Sequence, residues 1–360
     1  MSRRVSVCFV VMAGGRGERL WPLVRTHTPK VCLSPVGTRS LLQLTIDRLK
    51  PVWPRATWLI VTTAEQADAV RRTVPASLRR AVLVEPQIKN TAACITLAAV
   101  ALAARDPRQV MVVVPADHWV GDAPAFRRTL RTAIRAAVRE ETIATIGIRP
   151  TGPHPGFGYL CAGAPVRRAA HVFRLERFVE KPSRAMAVRL LKRPRTFWNG
   201  GIFIGTADTF LECVTEWLPE HTRQLVPLAA DLGRRWTRPA ALAQRVRRAY
   251  GMMPAISFDH GVMNHLHRGL IVEGRFAWAD LGTWDTWARL GKAAERTVDV
   301  ESERVTVVSQ DDHLVAAIGV KNLVVVHTPT ATLICRSDRA QAVREVVRRL
   351  AADPKLAAYL

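Results

Sequence analysis

The sequence lacks the features that mark several common classes of protein. Its six cysteines are scattered and form no CxxC pair, so we expect free buried thiols rather than disulfides or zinc ligands. No apolar run approaches the roughly 20 residues of a membrane helix, so we expect no membrane partner. The sequence contains neither a Gly-x-Ser-x-Gly elbow nor an HExxH pair, which argues against common hydrolase chemistry.

Acidic side chains are scarce relative to basic ones. The 360 residues include 53 Lys and Arg against 30 Asp and Glu, giving a formal net charge of +23. Such an excess is typical of nucleic-acid-binding proteins, but here the arginines are spread along the whole chain and no stacking aromatic motif interleaves them. We therefore interpret them as a solvated surface that attracts anionic substrates, and expect no nucleic-acid partner.

Short β-rich runs alternate with helical patterns over the first half of the chain. The runs are VSVCFVVM (5–12), TWLIVTT (57–63), AVLV (81–84), VMVVVP (110–115) and TIATIGI (142–148). This alternation predicts an α/β fold with a doubly wound sheet, in which ligands bind beyond the carboxyl ends of the strands.

The apolar run 5–12 follows two basic residues, Arg3 and Arg4, so it also resembles a short signal peptide. A glycine-rich loop comes after the run without a break, which favours a buried first strand. We therefore predict a cytoplasmic protein.

The pattern of apolar and turn residues changes near residue 295. Short strand patterns follow, and the chain ends in an amphipathic helical pattern, DRAQAVREVVRRL, with Ser337 as its expected cap. We predict two domains, a main domain over 1–290 and a small β-rich segment with a terminal helix over 291–360.

The stretch VVMAGGRGERLWPLVRTHTPK (10–30) places a glycine-rich turn after a strand, which is typical of phosphate binding. It fits neither a P-loop nor the dinucleotide fingerprint, because Leu20 stands where both templates need a glycine. The turn nevertheless lets backbone N–H groups converge on a polyphosphate. The candidate residues are Gly14, Gly15 and Gly17, with Arg19 and Lys30 as nearby cations.

Two aspartates are candidate magnesium ligands. In VVVPADHW (112–119) a buried strand pattern ends in Asp117, and Asp280 lies in WADLGTW (278–284). Each alone is more often a helix cap or a turn residue, but two carboxylates beside a polyphosphate are ligands that magnesium prefers. With the loop and its cations they predict phosphoryl or nucleotidyl transfer, in which positioning and charge neutralisation carry most of the catalysis.

Two further stretches suit a sugar phosphate. In FVEKPS (178–183) a lysine can bind a second phosphate and a glutamate can accept hydrogen bonds from hydroxyls; the alternative is a surface ion pair. FWNGGIF (197–203) combines aromatic, amide and glycine residues, which suits a sugar but also a tight turn between strands.

These motifs occur in the order found in one known family. The chain resembles the GDP-mannose pyrophosphorylases, or mannose-1-phosphate guanylyltransferases, of the sugar-nucleotidyltransferase superfamily. The resemblance covers roughly residues 5–290, on AGGRGERLWPLVRTHTPK, SLLQLTIDRL, EPQIKNTAACI, VVPADHWV, GFGYL, FVEKPS, FWNGGIFI, ISFDHGVM and WADLGTWDTW. The segment 321–347 resembles the family's C-terminal tail.

The resemblance implies a Rossmann-like doubly wound mixed sheet of the nucleotide-diphospho-sugar transferase type. It implies transfer of GMP from GTP to mannose 1-phosphate, by magnesium-assisted in-line attack on the α-phosphate, to form GDP-mannose and pyrophosphate. It leaves a homodimer open. The implied residues are Arg19, Lys30, Asp117 and Asp280 for catalysis, the two aspartates for Mg²⁺, Gly14, Gly15, Gly17, Glu85, Asn90 and Thr91 for the nucleotide, and Gly158, Glu180, Lys181 and Asn199 for the sugar phosphate.

The sequence departs from the family pattern at three points. Gly200 replaces the serine of a WNSG motif, so we expect a hydroxyl to be missing near the sugar. His260 and Asn264 replace the tyrosine and glutamate of a SIDYAVME-like motif. The length leaves no room for the isomerase domain of bifunctional relatives, so we expect a single activity. Another NDP-sugar synthase, for example of the GDP-heptose type, and a non-catalytic homologue that binds GDP-mannose stay open as alternatives.

Overall fold

The computed structural model describes residues 5–35, 37–234, 240–284, 286–287, 297–311 and 313–360. The strands are β1 (Val7–Met12), β2 (Thr57–Thr63), β3 (Val82–Glu85), β4 (Val110–Pro115), β5 (His118–Val120), β6 (Ala144–Ile148), β7 (Tyr159–Pro165), β8 (Val172–Val179), β9 (Thr196–Thr206), β10 (Leu270–Gly274), β11 (Trp278–Asp280), β12 (Thr297–Val300), β13 (Thr306–Ser309), β14 (Val315–Ile318), β15 (Leu323–Thr328) and β16 (Ala331–Arg336). The α-helices are α1 (Leu41–Leu49), α2 (Ala67–Thr73), α3 (Asn90–Ala103), α4 (Ala123–Glu140), α5 (Arg184–Leu191), α6 (Ala207–Trp217), α7 (Pro219–Leu225), α8 (Ala229–Arg234), α9 (Ala240–Met252), α10 (Phe258–Gly261) and α11 (Val343–Ala352). The domain boundary predicted at 290/291 lies outside the described residues.

A nine-stranded sheet runs through the described residues in the order β3-β2-β1-β4-β9-β6-β10-β8-β7. Strands β1 to β4 are parallel to one another, whereas β9 is antiparallel to both β4 and β6. The sheet is therefore mixed and doubly wound, as predicted. Because β1 and β4 are parallel neighbours, the glycine loop after β1 and Asp117 after β4 emerge at the same edge of the sheet.

Alternate side chains of β1 enter two apolar cores, one on each face of the sheet. Cys8 and Val10 belong to the core that α3 and α6 cover, whereas Phe9 and Val11 belong to the core that α1 and α4 cover. All four side chains are fully buried, which explains why β1 is apolar at consecutive positions. Within the described residues no helix is long and apolar enough to cross a membrane.

The C-terminal strands stack at a constant spacing. Thr297 pairs in parallel with Val315, and Thr306 pairs in parallel with Val324, so each strand lies on the one that follows 18 residues later. Strand β16 then returns antiparallel to β15. The predicted β-rich segment ending in a helix is confirmed, but its cap is not, because Ser337 opens a 3-10 helix without a side-chain cap and α11 follows it.

The C-terminal segment packs on the residues that follow the glycine loop. Trp21 Nε1 donates a hydrogen bond to the Tyr359 carbonyl at 2.8 Å. The backbone N–H of Thr26 donates to the Leu360 carbonyl at 3.1 Å. Trp21 also shares a buried apolar cluster with Val343 of α11. The end of the chain therefore helps to hold the segment that follows the glycine loop.

Candidate active site

The loop after β1 has backbone conformations that glycine adopts more readily than other residues. Gly15 has a φ of 113° and Gly17 a φ of 61°. A Cβ at Gly17 would lie 2.9 Å from Lys30 Cβ and 3.2 Å from Val24 Cγ1, so a larger residue there would displace Lys30. Gln66 Nε2 donates to the Gly15 carbonyl at 2.8 Å and fixes the loop from outside. Gly14 and Gly15 are exposed, so a ligand can reach their backbone.

Lys30 joins the two predicted magnesium ligands. Its Nζ donates to Asp117 Oδ2 at 2.6 Å and lies 3.5 Å from Asp280 Oδ1. Asp280 reaches this point because β11 pairs with β5, which sets Asp280 opposite His118. The side chain of Lys30 is 9% exposed, whereas those of Asp117 and Asp280 are 31% and 34% exposed. The two carboxylates are thus partly exposed, whereas the ammonium group of Lys30 is largely buried.

Burial and charge act in opposite directions on this cluster. Burial disfavours the charged form of Lys30, but the charges of Asp117 and Asp280 and their hydrogen bonds to its Nζ outweigh burial and raise its pKa. Burial likewise favours the neutral form of Asp117, but the charges of Lys30 and His118 outweigh it and lower its pKa. Lys30 and Asp117 are therefore both ionised at neutral pH.

These groups line a cavity of about 250 Å³, called here the phosphate pocket. Its charged lining residues are Arg16, Arg19, Lys30, Arg344, Glu18, Asp117 and Asp280. Arg19 is half-buried, and its Nε has no hydrogen-bond partner among the described residues. Burial, followed by the charge of Arg344, lowers the pKa of Arg19. Cations that face one another beside an accessible glycine loop form an anion-binding arrangement.

The donor set of the phosphate pocket fits a magnesium ion. Asp117 and Asp280 offer two partly exposed carboxylates at one cavity, and magnesium binds through one or two carboxylates together with phosphate oxygens. Another group of ligating side chains, Asp311, His313 and His327, has its ligand atoms within 4.8 Å of one another in the C-terminal segment and lines neither this pocket nor the larger cavity described below.

The residues predicted for the nucleoside lie on two elements. Glu85 ends β3 and is buried, and a Cβ at Gly14 would lie 3.9 Å from its Oε2, so Glu85 adjoins the loop. Asn90 begins α3 with a φ of 66° and an exposed side chain. Thr91 Oγ1 accepts a hydrogen bond from the Phe258 N–H at 2.9 Å and so connects α3 to α10.

The four residues predicted for the sugar phosphate lie together where β7 begins, β8 ends and β9 passes beside them. The Asn199 N–H donates to the Gly158 carbonyl at 2.8 Å, and Lys181 Nζ donates to Glu180 Oε1 at 2.7 Å. A Cβ at Gly158 would lie 2.8 Å from Glu180 Oε2, so glycine leaves room for that carboxylate. Glu180 is largely buried and Lys181 is exposed, which leaves the ammonium group accessible to an anion.

Asp259 also belongs to this group, although the sequence analysis gave it no role. Asn199 Nδ2 donates to Asp259 Oδ1 at 2.5 Å, and Asn199 Oδ1 accepts from Thr145 Oγ1 at 3.0 Å. Burial, reinforced by the charge of Glu180, raises the pKa of Asp259 to about 7. The sequence shows Asp259 only as the acidic residue of the ISFDHGVM motif. Its hydrogen bond with Asn199 becomes visible only in the fold.

Gly200 does not face the predicted sugar residues. A Cβ there would lie 3.0 Å from the Ile146 carbonyl oxygen, toward β6, because neighbouring residues of a strand point to opposite faces. A side chain at position 200 would therefore point away from Asn199, and the expectation that a hydroxyl is missing near the sugar stays a prediction. Gly201 has a φ of 63°, and its Cβ would lie 3.6 Å from His118 Cε1, so β9 runs next to the residues that follow β4.

The other departure lies at the surface. His260 and Asn264 are both exposed, and Asn264 Nδ2 donates to the His260 carbonyl at 3.2 Å. Neither side chain bonds to Asn199 or Glu180 among the interactions of the described residues. Among the described residues, the hydrogen bonds of the predicted sugar group therefore do not involve these two side chains.

A larger cavity of about 710 Å³ adjoins the phosphate pocket and shares Asp280 with it. Several aromatic side chains line it: Trp119, Phe157, Trp198, Phe276 and Trp278. The buried Nε1 of Trp198 has no hydrogen-bond partner among the described residues. None of the four residues predicted for the sugar phosphate lines this cavity, so cavity size alone does not locate the predicted chemistry.

Comparison with known proteins places these features in a family. A family model described as "Nucleotidyl transferase" matches residues 9–297, and one described as "MannoseP isomerase/GMP-like beta-helix domain" matches residues 295–350. The xanthan biosynthesis protein XanB of Xanthomonas campestris pv. campestris is 32% identical over 95% of this chain and 72% of its own length. A mannose-1-phosphate guanylyltransferase of Escherichia coli is 32% identical over 95% of this chain and 73% of its own length.

The fold agrees with a solved structure over nearly the whole chain. The structure, described as a mannose-1-phosphate geranyltransferase from Thermus thermophilus, is 36% identical with a TM-score of 0.80, and the match covers 96% of this chain and 100% of that one. The chain therefore belongs to the nucleotidyl transferase family of enzymes, in the group that contains the mannose-1-phosphate guanylyltransferases.

Proposed function

We propose that the protein transfers GMP from GTP to mannose 1-phosphate, forming GDP-mannose and pyrophosphate. The observation that carries the proposal is the phosphate pocket, where the glycine loop meets Lys30, Asp117 and Asp280. The names of several relatives supply the sugar and the nucleotide, since they are mannose-1-phosphate guanylyltransferases.

In the proposed reaction an oxygen of the mannose 1-phosphate attacks the α-phosphorus of GTP. A new phosphorus–oxygen bond forms, the bond between the α-phosphorus and the oxygen that bridges it to the β-phosphate breaks, and pyrophosphate leaves with that electron pair. Lys30 and Arg19 supply fixed positive charge to the oxygens that gain charge. The N–H groups of the glycine loop orient the phosphates, as preorganised donors do.

Asp117 and Asp280 would hold Mg²⁺ between the protein and the phosphates. When bound, the ion supplies further neutralisation of phosphate charge. The attraction between Lys30 and both carboxylates holds the three side chains together.

The second substrate is assigned to the group around Asn199. Lys181 has an exposed ammonium group that can bind the phosphate of the sugar. Glu180, Asn199 and Asp259 offer oxygen and amide groups to sugar hydroxyls, while Gly158 leaves space beside them. Glu85, Asn90 and Thr91 are assigned to the guanosine moiety, since Glu85 adjoins the glycine loop.

The same proposal includes the division into 1–290 and 291–360 and a cytoplasmic location. GTP and mannose 1-phosphate are its partners, nucleic acid and membranes are not, and homodimerisation is the assembly state to test.

A pyrophosphate-release assay with a substrate panel tests the proposal. The purified protein is incubated with Mg²⁺, each nucleoside triphosphate and each of several sugar 1-phosphates, including mannose and heptose 1-phosphates. Fastest release with GTP and mannose 1-phosphate is the expected result. Faster release with another pair would assign a different NDP-sugar synthase. Release with no pair would refute catalysis and favour a non-catalytic protein that binds GDP-mannose.

A further inference from the structure

The terminal helix α11 reaches the phosphate pocket, although it lies more than 300 residues after the glycine loop in the sequence. Val343, its first residue, is 2% exposed and shares an apolar cluster with Leu20 and Trp21. The next residue, Arg344, lines the pocket together with Arg19 and the glycines. Burial of Val343 thus fixes the start of the helix where Arg344 faces the cavity.

Arg344 differs from the other arginines of its helix in its ion pairing within the described part of the chain. Among the residues that the structure describes, Arg344 has no ion pair or hydrogen bond to a carboxylate, whereas Arg348 and Arg349 on the same helix both pair with Glu345. In the pocket, Lys30 is already paired with Asp117 and Asp280. Among the described residues Arg344 therefore adds positive charge to the pocket that no ion pair neutralises, and a bound anion can neutralise it.

Arg344 and Arg19 also repel each other across the pocket. The charge of Arg344 is the largest influence after burial in lowering the pKa of Arg19. Two guanidinium groups brought to one cavity in this way are stabilised when an anion with several oxygens binds between them. A polyphosphate matches this arrangement, because guanidinium groups bind phosphate oxygens through paired N–H donors.

We propose that Arg344 binds the polyphosphate of the nucleotide and the pyrophosphate product, so that the C-terminal segment completes the phosphate pocket. The proposal rests on the proposed nucleotidyl transfer for the identity of the nucleotide. The binding of a polyphosphate by Arg344 can be measured without turnover.

The test compares Arg344→Ala with Arg348→Ala, a matched removal of one arginine from the same helix outside the pocket. Binding of inorganic tripolyphosphate is measured by calorimetry with and without Mg²⁺, and the KM for GTP and for pyrophosphate in the reverse reaction is measured in parallel. We expect Arg344→Ala to weaken tripolyphosphate binding and raise both KM values roughly tenfold, as loss of a charge-assisted contact does. The KM for mannose 1-phosphate and the thermal midpoint should stay near wild type, and Arg344→Lys should restore part of the affinity.

Equal tripolyphosphate affinity in wild type, Arg344→Ala and Arg348→Ala would overturn the inference. A parallel loss of thermal stability confined to Arg344→Ala, without recovery of binding in Arg344→Lys, would also overturn it, because the arginine would then have a structural role. If wild type binds tripolyphosphate through Arg344 but releases no pyrophosphate with any substrate pair, the proposed function fails while this inference stands.

Discussion

Replacing Asp259 with asparagine should make the stability of the protein less dependent on pH. Asp259 is half-buried and accepts a hydrogen bond from Asn199, and burial together with the charge of Glu180 raises its pKa to about 7. In an unfolded chain an aspartate has a pKa of about 3.9. Between these values the folded protein holds a proton that the unfolded chain has lost. The contribution of Asp259 to stability therefore falls as the pH rises through this window.

The size of the effect follows from the two pKa values. Each pH unit inside the window changes the free energy of unfolding by about 1.4 kcal/mol. The full window from about pH 4 to pH 7 therefore corresponds to about 4 kcal/mol, and the part between pH 5 and pH 8 to about 3 kcal/mol. This amount is a large fraction of the stability of an ordinary domain, so it is measurable.

Urea unfolding of wild type and Asp259→Asn at pH 5, 6, 7 and 8 measures this contribution. The free energy of unfolding of wild type minus that of the variant should fall between pH 5 and 7 and then level off, because other titrating groups cancel in the difference. Asp68→Asn, which changes an exposed carboxyl in the same way, is the control and should show no such trend. A difference for Asp259→Asn that is constant from pH 5 to 8 would refute the reasoning.

Three other substitutions test the remaining assignments. Asp280→Asn should lower turnover roughly 100-fold and weaken the magnesium dependence, and an unchanged magnesium titration would remove Asp280 from the metal site. Lys181→Ala should raise the KM for the sugar phosphate roughly tenfold with little change for GTP; a loss of GTP affinity instead would assign Lys181 to the nucleotide. Gly158→Ala places a Cβ 2.8 Å from Glu180 Oε2, so it should raise the KM for the sugar phosphate and destabilise the fold by about 1–3 kcal/mol, measured by kinetics and urea unfolding. Gly152→Ala, where a Cβ would meet nothing within 4 Å, should change neither quantity, and equal effects of the two variants would contradict the steric argument.

The sequence predicts the central strands well because their patterns are local. Strands β2 and β4 have the predicted bounds, since continuous β-branched runs are typical of strands buried on both faces. The position of the glycine loop after β1 follows from the same reasoning. Parallel pairing of β1 and β4 then brings the loop and Asp117 to one edge of the sheet. This agrees with the rule that ligands of such sheets bind beyond the carboxyl ends of the strands.

The contacts that the sequence analysis missed depend on strand register and on distant packing. Whether Gly200 points to the sugar group or to β6 is decided by strand β9 and its pairing with β6, and no local pattern reveals it. Asp259 meets Asn199 across 60 residues of sequence. The amphipathic pattern of α11 indicates that one face is buried, but not that Val343 packs near Trp21 and so brings Arg344 to the phosphate pocket.

The central claim is that the α-phosphate of GTP moves to the sugar phosphate. It is tested most directly by following two labelled samples of GTP, one labelled at the α-phosphate and one at the γ-phosphate, in reactions with mannose 1-phosphate and Mg²⁺. We expect the α label to appear in a nucleotide sugar and the γ label in pyrophosphate. Transfer of the γ label to the sugar phosphate, or transfer of neither label, would contradict the central claim.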